Sequence, residues 1–153
     1  MQLPHNAFVM VVDGRKLLFL RNEGDAVYPN LQVEKTLIDK HNPDDHDQAS
    51  DLAGHAMSTR TPGANWTSGG NVENTDFHQL EEDRFAAEAA ALLNARALRN
   101  EFESLIIVAP PRTLGELRKH YHQQVSDRLT GEVDKDLTGH TVSQIEEALL
   151  KVE

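Results

Sequence analysis

Two apolar runs of strand length open the chain. Ala7-Phe8-Val9-Met10-Val11-Val12 and Arg15-Lys16-Leu17-Leu18-Phe19-Leu20 lie on either side of Asp13-Gly14. Such runs joined by a pair that readily supplies positive φ angles predict a β-hairpin with a tight type I′ turn. Further on, Leu31, Val33 and Leu37 alternate with Gln32, Glu34 and Thr36, and the alternation breaks at Lys35. A half-exposed third strand is expected there, its entry kinked by Pro29-Asn30.

From Asp39 to about Leu80 the periodicity vanishes, and Asp, His, Asn, Ser, Gly and Thr dominate. A long Gly-rich loop over 39–80, mobile when the protein is free, is the expectation, since loops of this length are functional or disordered. Within it Ala49 to Ser58 is compatible with a short helix, because Ala49, Leu52, Ala53 and Ala56 share one face. The pattern then returns. Glu81-Glu82-Asp83 puts negative charge where a helix N-terminus favours it, and the alanine-rich run behind it carries a helix to about Glu101. Its apolar stripe of Phe85, Ala86, Ala89, Ala90, Leu92, Leu93 and Ala97 is small-sided and suits close packing on a sheet.

Leu105-Ile106-Ile107-Val108-Ala109 reads as a strand buried on both faces at the centre of a sheet, ended by Pro110-Pro111. A helix capped by Thr113 follows, with Leu114, Leu117, Tyr121 and Val125 at helical spacing. Glu132 to Leu137 offers a last strand. Thr141 to Val152 offers a closing helix, for which Thr141 and Gln144 fit a capping box. The order β-β-β-loop-α-β-α-β-α, with the last strands joined by a helix and hence parallel, predicts an α/β fold. It is a single domain over residues 1–153 with a mixed five-stranded sheet flanked by helices.

Composition changes this picture little and narrows the chemistry. The 153 residues, 39% hydrophobic and 26% charged, suit one core, and no apolar run approaches the ~20 residues that span a bilayer. Met1 to Asn6 lacks the basic region of a secretory signal, so a cytoplasmic protein without membrane insertion is expected. The absence of cysteine excludes disulfides, thiolate metal sites and a cysteine nucleophile. A net charge of -10 repels phosphate backbones as a whole, so any nucleic-acid contact has to be local.

Three stretches hold candidate chemistry. His41, His46 and His55, among Asp44, Asp45, Asp47 and Asp51, are ligand types that suit divalent metals, and a metal-binding enzyme is one reading. Their spacing matches no recognised site, and a solvated acidic loop turned by Asn42-Pro43-Asp44 accounts for them. No cofactor is expected. His120 and His122 flank Tyr121 and are not the i, i+4 pair of a zinc protease, and Ser68-Gly69-Gly70 lacks a nucleophile elbow. The third stretch, Ala56 to Asn71, has one arginine and no acid in an otherwise acidic chain. There Gly69 and Gly70 permit close backbone approach, Trp66 can stack, and Arg60 can meet a phosphate. Arg112, Arg118, Lys119 and Arg128 form a modestly basic region that an ordinary solvated helix face explains equally well.

The chain resembles the host-attachment protein family through Val11-Val12-Asp13-Gly14-Arg15, the Gly-rich stretch running into Phe85, and above all the string Val108-Ala109-Pro110-Pro111-Arg112-Thr113-Leu114-Gly115-Glu116-Leu117-Arg118. That family is associated with attachment to host cells, which implies an interaction protein acting directly or through host-association machinery. The order of elements also resembles the middle domain of archaeal and eukaryotic translation release factors. That second resemblance implies a ribonuclease H-like topology and a Gly-Gly-Gln loop tip that enters the ribosome to promote peptidyl-tRNA hydrolysis. Gly69-Gly70-Asn71 stands in the corresponding place. Its amide is one methylene shorter than glutamine's and the flanking basic residues are missing. The resemblance therefore implies a non-catalytic module that contacts ribosome or tRNA through Arg60, Trp66, Gly69, Gly70 and Asn71, helped by Arg112 and Arg118.

Overall fold

The computed structural model describes residues 1–39 and 64–152, the side chains of 64–75 excepted. Five strands, β1 (Phe8–Val12), β2 (Lys16–Asn22), β3 (Leu31–Ile38), β4 (Leu105–Ala109) and β5 (Leu129–Asp134), form one mixed sheet in the order β3-β2-β1-β4-β5. β1 pairs antiparallel with β2 and parallel with β4, and β4 pairs parallel with β5. Among the described residues four helices accompany them: α1 (Ala64–Leu98), α2 (Pro111–Arg118), α3 (Gln123–Arg128) and α4 (Val142–Leu150). The predicted α/β domain with a mixed five-stranded sheet flanked by helices is what forms.

The sheet separates two cores. On one face Phe8, Met10, Phe19, Leu105 and Ile107 meet Phe85, Ala86, Ala89, Ala90, Leu93 and Ala97 of α1 and Leu114 and Leu117 of α2. The small alanines let α1 lie close to the strands, as its stripe predicts. On the other face Val9, Val11, Leu18, Leu20, Ile106 and Val108 meet Ile145 and Leu149 of α4. All five residues of β1 and of β4 are buried, which explains their unbroken apolar runs. The break at Lys35 is a register shift in the β2–β3 ladder, where Phe19 faces Lys35 but Leu20 faces Val33, so Glu34 is the extra residue of a bulge.

Both hairpin turns use one device. The Asp13 N–H donates to Lys16 O (3.0 Å), while Asp13 Oδ1 accepts from the N–H groups of Arg15 (2.7 Å) and Lys16 (2.8 Å). In the β2–β3 turn the Asp25 N–H donates to Tyr28 O (3.1 Å), and Asp25 Oδ1 accepts from Val27 N–H (2.9 Å) and Tyr28 N–H (2.7 Å). Among the described residues no glycine has positive φ, so the expected type I′ turn at Asp13-Gly14 is not the one adopted. The aspartate side chain replaces a carbonyl as acceptor and removes the need for left-handed backbone. Gly14 is required by proximity instead: a Cβ there would run into the Glu82 side chain of α1, 2.9 Å from its Cβ.

Helical boundaries differ from the pattern in three places. α1 begins at Ala64, so positions 64–80 are helical where a loop is predicted. The strong helix formers behind Glu81 supply the nucleus, and extending a formed helix costs far less than starting one, even through Gly69 and Gly70. α1 ends in a Schellman arrangement: Asn100 takes φ 57°, its N–H donates to Ala97 O (3.0 Å), and Glu101 N–H donates to Arg96 O (3.0 Å). The helix predicted through Thr113 to Val125 is two helices, α2 starting behind Pro110 with Pro111 in its first turn. Asn94 of α1 holds the break, its Nδ2 donating to His120 O (3.1 Å) and its Oδ1 accepting from His122 N–H (3.0 Å). The last strand is Leu129–Asp134 and not Glu132 to Leu137; Val133 is buried in it, and Leu137 enters the core just beyond it. The capping box of Thr141 and Gln144 is present. The short helix expected over Ala49 to Ser58 lies outside the described residues.

Candidate nucleic-acid interface

α1 has two halves of different character. Glu81 is the first of its described side chains to be buried, followed by Phe85, Ala86 and Ala89 in the core. Before it, Asp76, Phe77 and Leu80 are exposed, Phe77 by 43% and Leu80 by 66%. Positions 64–80 add about 25 Å of helix at ~1.5 Å per residue, and position 70 lies about 16 Å along the axis from Glu81.

The Gly-rich candidates therefore sit on a helix and not on a loop tip. At helical spacing positions 66, 69 and 70 share a face, and position 71 lies about 100° further round. Inside a helix the N–H of each residue is engaged by the carbonyl four residues back, so Gly69 and Gly70 offer a partner a surface without side chains, not free backbone donors. Arg60 lies outside the described residues, as do His41, His46 and His55. Among the described residues no group of His, Asp and Glu is arranged to hold a metal ion.

The basic region around α2 is largely spent on internal contacts. Arg118 binds both oxygens of Glu132, with Nε to Oε1 and Oε2 at 3.2 Å and Nη2 to Oε1 at 3.0 Å. That hydrogen bonding raises the pKa of its already basic guanidinium. Arg128 donates to Phe102 O, Gln124 O, Gln124 Oε1 and Asn100 Oδ1, which clamps the end of α1 to α3. Lys119 and the His120 ring both reach Glu116, at 3.1 and 3.3 Å. Arg112 is exposed at the start of α2, and no ion pair or hydrogen bond engages its side chain among the described residues. Of the two α2 arginines singled out by sequence, Arg112 is exposed and unpaired among the described residues, whereas Arg118 is paired.

Sequence reasoning also passed over a cluster of cations on aromatic faces. Arg96 lies 4.6 Å from the Phe19 centroid and 5.3 Å from that of Phe8, Arg21 lies 5.0 Å from Phe8, and Glu34 accepts from both arginines. These two charges serve packing. The signal was present in the acid and bases at Glu34, Arg21 and Arg96, but only the fold brings them together.

A family model described as Bacterial archaeo-eukaryotic release factor family 12 matches residues 6–149. Among solved structures the archaeal translation termination factor aRF1 is similar at 11% identity and a TM-score of 0.47, over 95% of this chain and 33% of that one. This chain thus spans about a third of the length of that factor. No curated protein matches it. The match gives the host-attachment resemblance no support. The chain belongs to bacterial archaeo-eukaryotic release factor family 12.

Proposed function

We propose that this release-factor-like protein is a non-catalytic module that contacts the ribosome or a tRNA through the Gly-rich N-terminal half of α1. The observation that carries the reading is the placement of Gly69-Gly70-Asn71 on 17 residues of helix, 64–80, N-terminal to its first buried described side chain, in a chain of this family. Three features support it. The glycine pair leaves a smooth strip against which a ribose-phosphate backbone can lie. Position 66, a tryptophan, falls on the same face by helical spacing, and tryptophan is a residue type suited to base stacking. Ala56 to Asn71 carries no acid, so repulsion is lowered around the glycine pair despite the net charge of -10, although Glu73 and Asp76 follow on the same helix.

Peptide release is not part of the proposal, because the Asn71 amide falls one methylene short of glutamine's. Positions 64–80 carry no lysine or arginine, so the salt dependence of binding through this segment should be shallow, equivalent to about one to three phosphate contacts from its flanks. Cosedimentation with bacterial ribosomes across a salt series tests this, comparing wild type with a Gly69→Ala/Gly70→Ala/Asn71→Ala variant. The substitutions favour helix by about 0.5–1 kcal/mol per glycine, so the variant keeps its fold and lost binding reports lost contact. Failure of the wild type to pellet even at low salt overturns the reading.

A further inference from the structure

We infer that the tip of the β2–β3 hairpin, Glu23 to Asn30, is a second docking element, shaped for a basic protein surface on the ribosome. This rests on the ribosome-binding reading above but on a different part of the molecule. Val27 and Tyr28 are 74% and 79% exposed, the most exposed of the large hydrophobic side chains described. Isolated exposed apolar residues are ordinary, but an adjacent valine and tyrosine at the apex of a hairpin form a small contiguous knob.

The knob is held rigidly. Asn22, with no exposed surface, donates from Nδ2 to Leu3 O (2.7 Å), Pro4 O (3.1 Å) and Asp25 O (3.4 Å), and its Oδ1 accepts from Gly24 N–H (3.0 Å) and Asn30 N–H (2.8 Å). Asp25 closes the apex through Val27 and Tyr28 N–H, and Glu23 N–H donates to Asn30 O (2.9 Å). Gly24 packs so closely that a Cβ would collide with Tyr28 O and come within 2.8 Å of Asn30 N. At the base Glu146 Oε1 of α4 accepts from Leu31 N–H (2.6 Å). The backbone ordering that docking normally costs is already in place, and tyrosine, with two side-chain torsions, loses little freedom when buried.

Charge selects the kind of partner. From Asn22 to Glu34 there is no lysine or arginine, and Glu23 and Asp25 stand exposed on the N-terminal side of the turn. Arg21, just below, is committed to Glu34, Asn6 O and Glu101 O. Two carboxylates beside an apolar knob, with no cation on the hairpin tip, repel phosphate and a second copy of this chain, but complement a lysine- and arginine-rich protein surface with an apolar recess.

The test combines two measurements on purified 70S ribosomes. Val27→Ser/Tyr28→Ser, whose side chains are exposed, should leave the urea midpoint unchanged and weaken pelleting at least tenfold, with the Gly69-Gly70-Asn71 segment intact. A benzophenone amino acid at position 28 should crosslink to ribosomal protein. Equal pelleting of wild type and variant, or crosslinks from position 28 confined to RNA, overturns this inference and leaves the α1 reading standing. No pelleting of wild type overturns both.

Discussion

Asn22 gives the sharpest stability prediction. Its side chain is fully buried and makes five hydrogen bonds that tie the N-terminal segment at Leu3 and Pro4 to the β2–β3 turn. Asn22→Ala strands these partners. The contact to Leu3 O is buried, and an unsatisfied buried group costs about 1–3 kcal/mol, while the part-buried partners recover some of theirs from water. A loss of about 3–5 kcal/mol is expected, a large part of the stability of a domain this size. Asn22→Asp is the informative companion, because it is nearly isosteric and keeps the acceptor for Gly24 and Asn30. It also sets a carboxylate oxygen against the carbonyls of Leu3 and Pro4, so at neutral pH it should cost at least as much as alanine. Urea unfolding followed by circular dichroism reads both, with the midpoint lowered and the slope unchanged. A glutamate-specific protease should also cut faster after Glu23 in either variant, because the turn loses its anchor. A loss below about 1 kcal/mol in Asn22→Ala would refute the assignment of Asn22 as the hub of this corner.

Three further outcomes follow from the same geometry. Gly14→Ala should destabilise by about 1–3 kcal/mol through overpacking against Glu82, and much of that loss should disappear in a Glu82→Ala background; equal costs in both backgrounds would contradict the contact. Tyr121 is half-buried, with its hydroxyl shut off from solvent and unpartnered among the described residues, and desolvation raises its pKa, so Tyr121→Phe should unfold at the same urea concentration or a higher one, and a clear loss of stability would reveal a partner. Glu116 has its pKa lowered, first by the hydrogen bond from Lys119 and then by His120. A depressed folded pKa means that its contribution is present above the unfolded value and lost as pH falls through the folded one. Glu116→Gln should therefore cost under about 1 kcal/mol at pH 7, as for surface pairs, and nothing once the carboxyl is protonated, and a cost that persists in acid would contradict this.

The parts of the fold that were legible in sequence are those fixed by local periodicity. β1 and β4 announce themselves as unbroken apolar runs because both of their faces are buried, and the alanine stripe of α1 specifies how close that helix lies. The Thr141–Gln144 capping box is equally local. The parts that were not legible depend on polar side chains acting at a distance. Asn94 interrupts an apolar pattern at Leu114, Leu117, Tyr121 and Val125 that by itself reads as one helix, and nothing near Asn94 in sequence reveals its partners at His120 and His122. Asp13 and Asp25 show why a turn type does not follow from composition alone: a side-chain acceptor substitutes for the backbone conformation that Asp-Gly suggests. Residues 64–80 lack a periodic apolar stripe, so their helix leaves no amphipathic trace.

The candidate interface was legible only in outline. The Gly-rich stretch was visible as a composition shift, but its backbone was assigned to a loop. The difference between Arg112 and Arg118 depends on Glu132, which β5 brings beside α2. The Val27-Tyr28 knob went unnoticed because its meaning lies in its exposure and in the hydrogen bonds beneath it.

Photocrosslinking from position 71 of α1 on purified 70S ribosomes is the measurement that tests the central claim most directly. Crosslinks to ribosomal RNA or bound tRNA that vanish with excess unlabelled wild-type protein are predicted. Ribosome binding with no nucleic-acid crosslink from position 71 would contradict contact through this segment.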